Sequence, residues 1–440
     1  MKKKSPSQSQ SLKKGKFKTK LKKEIFHFQK STELKSFEPI HFKVNDIHIG
    51  FIPKSGSLVY LQIVNRTGSQ VEKPNEWGYS HILEHMLFKG TKHYPNSIEF
   101  IHSYNKLGAH LNAYTDYDHT NYFLSILKEN FHKGFPIISD MYVNPLIPAN
   151  ELQKEIQPIL SEYREAEDDP TQYLFEESMK HFLSEYHPIL GTEKNIKEVQ
   201  REDLIQFKTK YYGKVNTFIT IVGDIDVESF LKEVELLFKD LPTSKKPSYP
   251  KAQYRPQELL LQKKGIQEGY FLMLFPALPY KHKDRIKQNF MNYILGGMDS
   301  SLLYVRVREE LGLSCYEIYS SILRNQSFSI LEIFAGIDPK QIEKLKEEVQ
   351  LILQSLMNEY ISDDLFMIAK NTIKTQIWSS IETIKGLSGY LLQSMLQDDY
   401  RNPVETLIEE IEAITKEDVL EIAQKTFSEK PLIAKLLPKK

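Results

Sequence analysis

Two imidazoles and a carboxylate stand close together in His81-Ile82-Leu83-Glu84-His85. On a helix, residues four apart lie about one turn apart on the same face, so His81 and His85 can chelate a single zinc ion (Zn2+). Glu84 reaches the same side while leaving the ion to the histidines. A carboxylate in that place can take a proton from a water at the metal and pass it to a leaving amine. A solvated, charged helix face is the competing explanation of the spacing. Against it, Ile82, Leu83, Met86, Leu87 and Phe88 make the segment largely buried, where Glu and His are costly without a partner. A divalent cation is the simplest partner. The lone cysteine, Cys315, excludes a Cys-rich zinc site and any internal disulfide, so a metal must be held by His and carboxylates.

The elements that must position this motif repeat at an offset of about 210 residues. Residues 201–212 resemble 416–427, and each stretch runs into a strand-like segment, 217–222 and 432–437. Near the start of each half, 59–64 and 269–275 also read as strands, each followed by a helical segment. Between the halves, 241–256 holds four prolines in sixteen residues, which points to an extended connector. The expected organisation is a Lys-rich, disordered tail (1–34), a metal-binding domain (35–242), a linker (243–256) and a homologous second domain (257–440). Mixed strands and helices predict an α+β class, each domain a mixed or antiparallel sheet with helices packed on one face.

Gly78-Tyr-Ser-His-Ile-Leu-Glu-His-Met-Leu-Phe-Lys-Gly-Thr91 closely resembles the signature of the pitrilysin, insulysin and mitochondrial processing peptidase family, whose motif inverts the common zincin order. The resemblance implies a third zinc ligand on a downstream helix that carries a second functional carboxylate two turns earlier. Glu155-Ile-Gln-Pro-Ile-Leu-Ser-Glu162 fits, with Glu162 as ligand and Glu155 as the second catalytic carboxylate. An ordinary acidic helix face also fits this stretch, since Glu165 and Glu167 are nearby. Residues 108–123 resemble the strand region that pairs with extended substrate, which implies Asn112, Ala113 and Tyr114 as substrate-binding residues; a plain core strand is the alternative. His102, His110 and His119 read as structural or surface residues. Residues 295–313 resemble the family's second-half contribution, an Arg with a Tyr seven residues later that bind substrate and stabilise the tetrahedral intermediate. Arg308 matches the Arg, but the seventh residue on is Cys315. Tyr316 comes one position late, on the opposite face of a strand unless a bulge shifts the register. At the repeat-equivalent place the second half has Asn292-Tyr-Ile-Leu-Gly-Gly297, so it is expected to bind no zinc and to close a chamber over the first half.

The function this implies is zinc-dependent hydrolysis of unstructured peptides or unfolded protein in an enclosed chamber, with Glu84 activating a zinc-bound water. The resemblance further implies a homodimer, or a heterodimer with a homologous zinc-free subunit. The alternative is a non-catalytic or weakly active subunit of an assembly of homologous chains. Composition narrows the rest. Hydrophobic residues make up 40% and charged residues 26%, with no apolar run of bilayer-spanning length, so no membrane role is expected. The first 24 residues hold ten Lys and one acid, Glu24, yet carry no interleaved aromatic reader motif, so no nucleic-acid partner is expected. That start lacks a secretory apolar segment, and a cytoplasmic location is expected.

Overall fold

Eleven strands form two separate sheets in the computed structural model, which describes residues 38–244, 246–398 and 404–439. The expected tail, 1–34, lies outside the described residues. The first sheet contains β1 (Ile40–Val44), β2 (Ile47–Pro53), β3 (Leu58–Asn65), β4 (His110–Thr115), β5 (Thr120–Leu127) and β6 (Thr217–Gly223), in the order β1-β2-β6-β3-β5-β4. The second contains β7 (Glu258–Lys263), β8 (Gly269–Pro276), β9 (Cys315–Arg324), β10 (Ser329–Ile337) and β11 (Leu432–Pro438), in the order β7-β11-β8-β10-β9. Apart from β1, the two orders are the same plan used twice. In each, one parallel pair (β2 with β6, β11 with β7) sits among antiparallel neighbours. The sheets are mixed, and the chain is α+β.

The helices that matter here are α1 (Tyr79–Leu87), α2 (Phe131–Val143), α3 (Ala149–Asp168), α4 (Pro170–Phe182), α5 (Arg285–Gly296), α6 (Ile342–Asn358), α7 (Ile384–Leu396), α8 (Val404–Ala413) and α9 (Lys416–Phe427). Ile82, Leu83 and Met86 of α1 and Phe135 and Ile138 of α2 pack on Leu61, Ile63, Leu124 and Ile219. In the second half, α5, α6 and α9 pack on Phe271, Met273, Leu331 and Ile333 in the same way. Each sheet thus carries its own helices on one face. Strand β6 is buried at every position because its other face is covered too. There Val64, Phe218 and Val222 meet Leu387, Leu391 and Met395 of α7, a helix from the second half. The exchange is mutual: Leu174, Met179 and Phe182 of α4 lie on Leu272, Leu274 and Leu436 of the second sheet.

A buried polar network pins α7. The Gln62 amide donates to Thr220 Oγ1 (2.8 Å) and to Ser388 Oγ (2.7 Å), while Asn121 donates to Gln62 Oε1 (2.6 Å). The proline-rich connector is extended and docked. Tyr249 donates from its hydroxyl to the carbonyls of Arg66 (2.6 Å) and Asp118 (3.1 Å), and Leu183 bridges to Tyr254. Among the described residues no helix is long and apolar enough to cross a membrane.

Candidate metal centre

Helix α1 starts from a sharp backbone turn. Gly78 adopts a left-handed conformation (φ 92°), and a Cβ there would come within 2.7 Å of the Leu190 carbonyl oxygen. A side chain is therefore excluded at this position. The buried Glu72 carboxylate accepts the N–H groups of Gly78 (2.7 Å) and Ser80 (2.6 Å), capping donors that the first turn leaves open. His187 stacks on Trp77 (5.0 Å) and places Nε2 3.4 Å from Glu72 Oε2.

That start aims His81 and His85 at α3. Their Nε2 atoms are 3.2 Å apart, and each lies 3.6 Å from Glu162 Oε2. Among the described residues these three form the one group of His, Cys, Asp or Glu able to share a metal, with donor atoms all within 4.8 Å of one another. A tetrahedral zinc with bonds of about 2.0–2.1 Å needs donors about 3.3 Å apart, so the residues present fit the ion. Glu155 accepts from His85 Nδ1 (3.0 Å) and pairs with Lys89 (2.5 Å). This fixes the tautomer that leaves His85 Nε2 as a lone-pair donor. Burial, with His85 alongside, pulls His81 down to about 3, so its imidazole is neutral near pH 7. Burial pulls His85 down as well, but Glu155, Glu162 and Glu84 outweigh it and hold it above its ordinary value. For Glu155, burial pulls upward, and the hydrogen bonds from His85 and Lys89 bring its carboxyl below the ordinary value. Glu162 is 44% exposed, which leaves one side of the cluster open to an incoming molecule.

Glu84 is buried beside the cluster and does not join the metal-capable group. Burial pushes its carboxyl up, and a hydrogen bond from Thr115 Oγ1 (2.6 Å) opposes that push. Thr115 ends β4, the edge strand, whose second side is unpaired in the sheet order. Asn112 and Tyr114 are exposed, and Ala113 faces the core side. The Ala113 N–H donates to Asn112 Oδ1 (2.9 Å). His102 and His110 are exposed, whereas His119 is buried against Asp118 (2.8 Å).

Residues 53–192 match the family described as Insulinase (Peptidase family M16), and residues 198–373 match its companion, the Peptidase M16 inactive domain. The chain belongs to the M16 peptidase family. A relative from Rickettsia bellii, named an uncharacterized zinc protease, is 28% identical over 84% of this chain and 90% of its own. The mitochondrial-processing peptidase subunit beta of Bos taurus is 23% identical over 84% of this chain and 78% of its own. A protease structure from Helicobacter pylori superposes with a TM-score of 0.85 at 20% identity, covering 91% of this chain and all (100%) of that one.

The second-half region of the M16 pattern lies elsewhere. Arg308 and Tyr316 line an open cavity of about 720 Å³ with Glu268, Ser314 and Asp338, and none of His81, Glu84, His85, Glu155 or Glu162 borders it. The register shift that the position of Tyr316 demands is present: Glu317 pairs with Gly336 and Cys315 with Ile337, leaving Tyr316 as the extra residue of a bulge. Cys315 consequently points into the core, and Tyr316 is 52% exposed. Its ring lies over Gly336, where an added Cβ would fall 2.3 Å from the ring. Arg308 donates to the Tyr316 carbonyl (3.3 Å) and stacks over Tyr304 (4.8 Å). Sequence reasoning missed Thr115, Lys89 and Glu72. Lys89 sits four residues after His85, a spacing that points to the same helix face, but the other two carry no such local signal.

Proposed function

We propose that this M16 chain is a zinc-dependent endopeptidase or oligopeptidase acting on unstructured peptides or unfolded protein. The single observation that carries the reading is the His81, His85 and Glu162 triangle, its donor atoms spaced as one tetrahedral zinc requires, with Glu84 buried beside it. His81, His85 and Glu162 would hold the ion. When bound, zinc supplies a Lewis acid that polarises the scissile carbonyl and acidifies water. Glu84 takes the proton of the attacking water and delivers it to the leaving amine nitrogen. Thr115 holds Glu84 in place, and Glu155 orients His85. The free edge of β4 takes the peptide as an added strand, with Asn112, Ala113 and Tyr114 at its register and main-chain bonds that carry little sequence information. Arg308 and Tyr316 contribute from the second half, which closes the chamber. The working form is a dimer, of this chain or with a homologous zinc-free subunit.

A rival reading, a non-catalytic or weakly active subunit, draws on Cys315 standing where the family pattern has Tyr. The complete set of ligands and base weighs against it. Hydrolysis of a set of unstructured peptides should vanish on chelation with 1,10-phenanthroline and return with one equivalent of zinc. Hydrolysis that persists in the metal-free chain would sink the proposal.

A further inference from the structure

Around the junction of the halves lies a cavity of about 420 Å³ that neither the metal cluster nor Arg308 borders. Arg285 of α5, Arg324 of β9, Gln393 of α7 and Leu407 of α8 line it, with Ile322, and Asp116 contributes from the first half. Its size is that of a small-molecule site, and its lining is mostly polar, with Ile286, Ile322, Leu323 and Leu407 as the apolar part.

Arg324 is the unusual member. Its Nε donates to the Leu278 carbonyl (2.6 Å), one terminal nitrogen to Asn289 Oδ1 (2.6 Å) and the other to Gln288 Oε1 (2.9 Å). All three acceptors are neutral, and among the described residues no carboxylate pairs with this guanidinium. Burial pulls Arg324 down to about 10, with Tyr280 opposing and Arg285 adding to the pull, and it still carries its charge near pH 7. Of the acids in the lining, Asp116 accepts the Tyr117 N–H (2.6 Å), and Glu410 is exposed. Three bonds therefore orient the guanidinium fork without neutralising it. A partly buried cation in that state has no carboxylate bonded to it, and a planar fork is matched by a carboxylate.

We propose that this cavity binds the terminal carboxylate of a short peptide, with Arg324 taking the carboxylate and Ile322 and Leu407 the adjoining side chain. The peptide assignment rests on the peptidase reading, because Asp116 directly follows Thr115, the residue that touches Glu84, so the cavity lies at the C-terminal end of β4, where a peptide laid parallel to that strand presents its carboxylate. Free small carboxylates share the chemistry, so the test separates the two.

Isothermal titration of the full chain, stripped of metal so that no ligand can bind zinc, would compare N-acetyl-alanyl-alanine, its C-terminal amide and acetate. The acid is expected to bind saturably, at least tenfold tighter than the amide and than acetate, and Arg324→Gln and Gln393→Trp should each weaken it at least tenfold. Gln393 is exposed and its tryptophan would fill the cavity, so that variant keeps the test valid if Arg324→Gln does not fold. Equal binding of acid and amide, acetate as tight as the peptide acid, or undiminished binding in Gln393→Trp would overturn the proposal. Loss of peptidase activity in the zinc-loaded chain would be a separate failure, of the peptidase reading, and would leave the titration unchanged.

Discussion

For the proposed chemistry Glu84 acts in its ionised form although it is buried, and the hydrogen bond from Thr115, with His85 alongside, favours that form. A bond to a charged group contributes about 1.5–3 kcal/mol. Thr115→Val should therefore lower turnover by roughly tenfold to a hundredfold, with zinc content unchanged, as single-turnover assays and elemental analysis would show. Cys315 and Tyr316 divide cleanly across the bulge. On the proposed closure of the second half over the metal, Tyr316→Phe removes an exposed phenol that reaches the substrate and should cost about a hundredfold in turnover, the size of a lost oxyanion donor. Cys315→Ala empties a core position and should lower the melting temperature while leaving turnover within a factor of about two. Equal effects of the two on turnover would contradict the assignment. His81, Glu84 and His85 were legible in the sequence because their spacing is local, within one turn and a half of helix. Glu162 was reached through resemblance alone, since nothing local distinguishes it from Glu165. Thr115 lies 31 residues from Glu84, and the position of Tyr316 depends on how β9 pairs with Gly336, so neither could be read along the chain.

At the scale of elements, the repeated strands showed in the sequence because apolar runs and turn residues mark them directly. The exchange of α4 and α7 did not, because an amphipathic helix does not state which sheet it covers. That exchange ties the halves together through buried polar contacts. Gln62→Ala would leave Asn121, Thr220 and Ser388 short of partners, at a cost of about 1–3 kcal/mol, read as a lower urea midpoint. Helix α4 adds a pH-dependent part. Burial pushes Glu176 up to about 7, against a hydrogen bond from the Tyr186 hydroxyl (2.9 Å). A carboxyl raised above its ordinary 4.5 contributes stability that is full below that value and is lost as pH rises through about 7. Glu176→Gln should therefore gain in melting temperature relative to the parent chain between pH 5 and pH 8. A difference that is flat or falls over that range would contradict this.

The whole molecule is one plan used twice, and among the described residues the metal-capable cluster lies in one copy. Helix α5 stands where α1 stands in the first half, and it presents Asn292 and a Gly-Gly end in place of two histidines. The second half lends α7 to the first sheet. If a second homologous chain completes the chamber, specific activity should fall on dilution as the dimer dissociates, and sedimentation should show the change at the same concentrations. The connector's docking on Arg66 and Asp118 ties it to the first half within one chain. The claim on which all of this depends is the division of labour among the carboxylates at the metal. Zinc stoichiometry of purified Glu84→Gln and Glu162→Gln, measured side by side by elemental analysis, tests it most directly. The account predicts close to one zinc per chain in Glu84→Gln and a large loss in Glu162→Gln; zinc lost from Glu84→Gln but kept in Glu162→Gln would contradict it.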